Sequence, residues 1–61
     1  MTKRHEVIFQ VRANGTWLDY CRETSPHTDL NPTNNWAKDQ CTMLERRHGG
    51  DAFRFVVEIW Q

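Results

Sequence analysis

Three histidines (His5, His27, His48) and two cysteines (Cys21, Cys41) are the side chains of this 61-residue chain best suited to hold a metal or attack a substrate. Zinc sites draw their ligands in close pairs, as C-x-x-C or H-x-x-x-H, so that one turn supplies two. No pair here has that spacing, and the five residues scatter over the amino terminus, a loop, a helix and a strand. Nucleophilic catalysis needs a thiol or hydroxyl, a base and an orienting group within hydrogen-bond reach. Cys21 with His5 or His27 is the one set available, and no motif brings them together. Gly49-Gly50-Asp51 ends a helix and leads into a strand, whereas a phosphate cradle runs from strand to helix. His48 reads more simply as a cation at the helix C-terminus, beside Arg46 and Arg47. The sequence predicts no catalytic residues, no metal site and no cofactor.

A different set of residues suits contact. Ile8, Arg12, Trp17, Asp19, Arg54, Val56, Glu58 and Trp60 are expected to share one sheet face, together with Cys21. Trp and Arg anchor interfaces more often than other residue types, and this face holds more apolar surface than solubility asks for. The alternative is a surface that covers itself, with the Arg12 guanidinium stacked on the Trp17 indole across the ladder.

The elements that must position these residues begin with a hairpin. Asn14-Gly15 separates two alternating runs, and a two-residue type I′ loop needs φ > 0 at both positions. That turn sets Ala13 opposite Thr16, Arg12 opposite Trp17, Val11 opposite Leu18, Gln10 opposite Asp19, Phe9 opposite Tyr20 and Ile8 opposite Cys21. Alternation then sends Val7, Phe9, Val11, Leu18 and Tyr20 to one face and Ile8, Gln10, Arg12, Trp17, Asp19 and Cys21 to the other. Arg22–Thr33 is polar, carries Pro26 and Pro32, and reads as a loop of about a dozen residues, long by the usual standard. It is expected to be a tether from sheet to helix.

A helix is expected within about residues 33–48, with Asn31 or Thr33 as its cap and Pro32 in its first turn. Ala37, Cys41, Leu44 and His48 form its apolar stripe, and Gly49-Gly50 stops it. Residues 52–60 alternate without a break: Phe53, Phe55, Val57 and Ile59 on one face, Arg54, Val56, Glu58 and Trp60 on the other. The expected fold is α+β in the order β-β-α-β, one domain over 1–61 with strands at about 6–13, 16–22 and 52–60. The sheet is three-stranded and mostly antiparallel, with the helix on its Phe9/Leu18/Phe55 face through Ala37, Cys41 and Leu44. The third strand can run parallel to the second or antiparallel to the first; the second arrangement is favoured, because Val7-Ile8-Phe9 is the most apolar part of the hairpin.

Composition narrows the class. The chain is 38% hydrophobic and 26% charged, which suits a globular domain and not a disordered one. Eight basic residues balance eight acidic ones, which argues against general phosphate neutralisation. Met1–His5 reads as a charged, frayed start with neither a secretory leader nor a membrane span behind it. Because the two cysteines are placed on opposite sides of the sheet, both are expected as free thiols in a reducing compartment, the cytoplasm.

The string Phe9-Gln10-Val11-Arg12-Ala13-Asn14-Gly15-Thr16-Trp17-Leu18-Asp19-Tyr20, followed by a helix and Gly49-Gly50-Asp51-Ala52-Phe53-Arg54-Phe55-Val56-Val57, resembles a pattern in short phage and prophage reading frames. These share a V-R-x-x-G-x-W-x-D-Y-like hairpin, one helix and a closing F-R-V-V-like strand, while Ser25–Pro32 departs from the pattern. The resemblance implies a non-enzymatic protein that binds and inhibits a host enzyme or defence complex in the host cytoplasm. A single-stranded nucleic-acid module is the second reading, since open sheets stack unpaired bases on aromatic side chains. Zero net charge, with Asp19 and Glu58 among the aromatics, counts against it. A homodimer closed by the tryptophan face is the third.

Overall fold

The computed structural model describes residues 4–60, the side chain of Trp60 excepted. Four elements follow in chain order: β1 Arg4–Ala13, β2 Thr16–Thr24, α1 Leu30–Arg47 and β3 Phe53–Trp60. The sheet order is β2-β1-β3 and both ladders are antiparallel. The fold is therefore α+β of β-β-α-β order, with β1 central as its apolar character predicts.

Asn14 and Gly15 both have positive φ, 52° and 78°, as a type I′ loop requires. From this turn the expected register holds through Val11↔Leu18 and Gln10↔Asp19. It then breaks. Phe9 faces Cys21 and Ile8 faces Arg22, so Tyr20 is an extra residue on β2. The expected pairs Phe9–Tyr20 and Ile8–Cys21 are thus replaced. An inserted residue exchanges the faces of everything beyond it. Cys21 moves to the helix side, and Arg22 and Thr24 move to the outer side. Strict alternation would have put Arg22 on the helix side; the bulge puts Glu23 there instead, opposite Val7 at the exposed end of the strand. Cys21 and Cys41 consequently pack against one core cluster, not on opposite sides of the sheet, and both are free thiols.

α1 starts earlier than its sequence pattern predicts. Asp29 occupies the N-cap without a side-chain bond, in place of Asn31 or Thr33. Thr33 is instead buried, 2.9 Å from the Ser25 hydroxyl, which also accepts the His27 N–H at 3.0 Å. β2 runs to Thr24, and Ser25 N–H bonds the His5 carbonyl at 2.8 Å. The connection between strand and helix is therefore short, residues 25–29, and stapled at both ends. At the other end of α1, Gly50 N–H bonds Glu45 C=O at 2.9 Å and Gly49 N–H reaches Arg46 C=O at 3.5 Å. This is a Schellman closure, and the positive φ of Gly49, 69°, is the conformation it demands.

The core is Val7, Phe9, Ala37, Cys41 and Phe53, flanked by Val11, Cys21, Trp36, Leu44, Phe55 and Val57. Trp36 meets Phe9 edge-on at 6.1 Å. α1 lies over β3 and β1 and not over β2, so the expected cover of Leu18 is absent and that side chain is 51% exposed. His5 is not frayed: it sits in β1 opposite Ile59, buried, and its Nδ1 has no partner among the described residues.

Candidate functional site

The sheet face turned away from α1 gathers residues from all three strands. Its rows follow from the ladders: Arg12 beside Trp17; Asp19, Gln10 and Arg54; Arg22, Ile8 and Val56; Thr24, Glu6 and Glu58. Of the residues expected there, Ile8, Arg12, Trp17, Asp19, Arg54, Val56 and Glu58 share this face. The Trp60 side chain lies outside the described residues, and Cys21 has left for the opposite face.

Polar side chains on this face hold one another across β1. Gln10 Nε2 donates to Asp19 at 2.7 Å, and Arg54 Nε donates to Gln10 Oε1 at 2.6 Å. The Arg54 guanidinium lies 4.6 Å from the centre of the Trp17 ring, so Arg54 takes the stacking role that the ladder offers Arg12. Glu6 and Glu58 face each other directly, an arrangement that like charges disfavour. Each has its own relief: Arg22 bonds Glu58 at 2.9 Å, while Arg4 lies 3.2 Å from Glu6 and the Thr24 hydroxyl donates to the same carboxylate. Between these groups sit the half-buried Ile8 and the 42% exposed Val56. Arg22, Gln10, Glu6 and Thr24 belong to the face although the contact set chosen from sequence omits them. Arg22 and Thr24 were hidden by the bulge; Gln10 and Glu6 were visible from alternation alone.

The helix side holds a second set of contacts that sequence spacing did not foretell. Tyr20 Oη and His48 Nε2 lie 2.9 Å apart, and both rings pack on Phe53. His48 thereby ties the end of α1 to β2, beyond any role at the helix dipole. Next to it an open groove of about 280 Å³ is lined by Tyr20, Cys21, Met43 and Leu44 among others. Both thiols sit on this side. Burial pushes the Cys21 thiol pKa up, with Glu23 adding to it. Burial does the same to Cys41, reinforced by Glu45 and by Cys21 itself. Raised values keep both as thiols, the less nucleophilic form.

Among the described residues no group of three or more His, Cys, Asp or Glu side chains is arranged to hold a metal ion, and no helix is long and apolar enough to cross a membrane. The fold and face together define a small α+β domain with an open three-stranded sheet. No protein-family model matches the chain, and no curated protein or solved structure matches it either.

Proposed function

We propose that the chain works by binding a protein through its outer sheet face and performs no chemistry of its own. The observation that carries this reading is an apolar centre, the half-buried Ile8 and the exposed Val56, flanked on both sides along the strands by side chains bonded to one another. Side chains held before contact lose little conformational freedom on binding, and such flanks exclude water from an apolar anchor between them. The flanking charges are of both signs, which favours a mixed protein surface over a phosphate backbone. The resemblance to short phage reading frames directs the search to a host enzyme or defence complex, with inhibition as the outcome and the host cytoplasm as the place.

Affinity capture from host lysate, comparing the wild type with Trp17→Ala and Val56→Asp, tests this. Whatever the wild type captures is then titrated against the three purified chains, with circular dichroism to establish that each is folded. Val56→Asp, at the centre of the contact, should cost ~2–4 kcal/mol, about thirtyfold to nearly a thousandfold in affinity, and Trp17→Ala, which removes the surface Arg54 stacks on, should cost less. Folded variants that bind as tightly as the wild type would defeat the assignment of this face. Affinity that collapses with added salt would favour the nucleic-acid reading instead.

A further inference from the structure

We propose that two copies of the chain join through β3, pairing it antiparallel with the same strand of a second copy to make a six-stranded sheet. β3 is an edge strand whose ladder is to β1 alone. Natural edges are guarded by Pro, by charged side chains, by bulges or by brevity, and of these β3 has only the charges Arg54 and Glu58. Phe53–Trp60 is eight residues long, its register with β1 runs without a break, and it holds neither Pro, Gly nor Lys.

The strand is also complementary to itself. Centred on Val56, an antiparallel pair places Arg54 against Glu58 of the second copy, and Glu58 against the second Arg54. Opposite charges facing across a ladder are favourable, and like charges are not. Centring on Phe55 or Val57 would set one charge of each copy against Val56. Centring on Arg54 or Glu58 would set like charges against each other. In the single chain both side chains lean away from that edge, Arg54 to Gln10 and Trp17 and Glu58 to Arg22, so the pairing has to share or replace these contacts.

The same register keeps both α1 helices on one side of the sheet. On that side Phe55 meets Val57 and Phe53 meets Ile59 of the second copy. Ile59 is 56% exposed, and Phe53 and Phe55 wall an open groove of about 390 Å³ between β3 and α1. The second copy thus brings an exposed aliphatic side chain to the rim of a wall of which Phe53 is already buried and Phe55 half-buried. The outer face stays open in this assembly, although Arg54, Val56 and Glu58 belong both to the pairing and to the proposed partner contact.

Sedimentation of wild type, Arg54→Glu, Glu58→Arg and an equimolar mixture of the two variants tests the pairing. The expected result is a wild-type dimer of the 7.3 kDa chain, monomers for each variant alone, and a dimer again for the mixture, where every facing pair is of opposite charge. A wild type that stays monomeric up to its solubility limit would overturn the proposal, as would variants that remain dimeric or a mixture that does not associate. Should a variant fail to fold, amide exchange on the wild type decides. Alternate β3 amides, those turned away from β1, must gain protection with concentration; unchanged rapid exchange at those positions would refute the pairing.

Discussion

Tyr20 decides which way the far half of β2 faces. Placed as an extra residue opposite the Phe9–Gln10 step, it turns Cys21 toward Phe9 and Arg22 toward solvent. Nothing in strict alternation announces such an insertion. Charge does not signal it either: continued alternation would have put Arg22 on the helix side, and the observed register puts Glu23 there. The two thiols report on this placement. Cys21 is half-buried beside the Tyr20 groove and Cys41 is buried, so a thiol reagent should label Cys21 first and Cys41 only as the domain unfolds. Labelling at equal rates would contradict the packing. Both folded thiols hold their protons more tightly than unfolded ones, chiefly through burial. The folded chain therefore binds more protons between the unfolded and folded values, and stability falls there as pH rises. This contribution is complete below the unfolded thiol value, about 8.5, and is lost as pH climbs through the raised folded values. Thermal melts across that alkaline window should show a declining midpoint, and Cys41→Ala should flatten the decline; an identical slope in the variant would refute it.

At the scale of elements, periodicity and punctuation carried most of the architecture. Asn14-Gly15 fixed the hairpin, the Ala37-Cys41-Leu44 spacing fixed the helix face, and eight alternating residues fixed β3. What periodicity could not reach were contacts between elements. Thr33 looked like a cap and is instead the buried partner of Ser25, which shortens an apparent dozen-residue loop to a stapled connection. The helix stripe could not say which strands it would cover, and β2 is left out. The face-sharing set of the outer sheet was legible because parity alone places it on β1 and β3, and the turn places it on β2 as far as Asp19. The turn itself is the element most exposed to a single change. Gly15→Val forces a β-branched side chain to positive φ, with open space around it, so the cost is backbone strain of about 1–3 kcal/mol. Chemical denaturation should show that loss, a large share of a small domain's stability. An unchanged midpoint would mean the hairpin does not depend on this turn.

At the scale of the whole molecule, one helix covers two of three strands, and the chain is too small to spare surface. A domain of this size buries only ~60% of the surface its unfolded chain exposes. The outer face is left to its own side chains, and they answer by bonding across β1: Asp19 to Gln10, Gln10 to Arg54, Arg54 over Trp17, Arg22 to Glu58. Those bonds hold the side chains around Ile8 and Val56 against one another, which is the basis for proposing this face as the partner contact. Photo-crosslinking tests that assignment most directly. A photoreactive residue is placed at Ile8, in the middle of the outer face, and in a separate chain at Asp39, on the exposed side of α1. After irradiation in host lysate, the expected product is an adduct heavier than two copies of the chain from position 8 and none from position 39. An adduct from position 39 alone, or equal adducts from both, would contradict it.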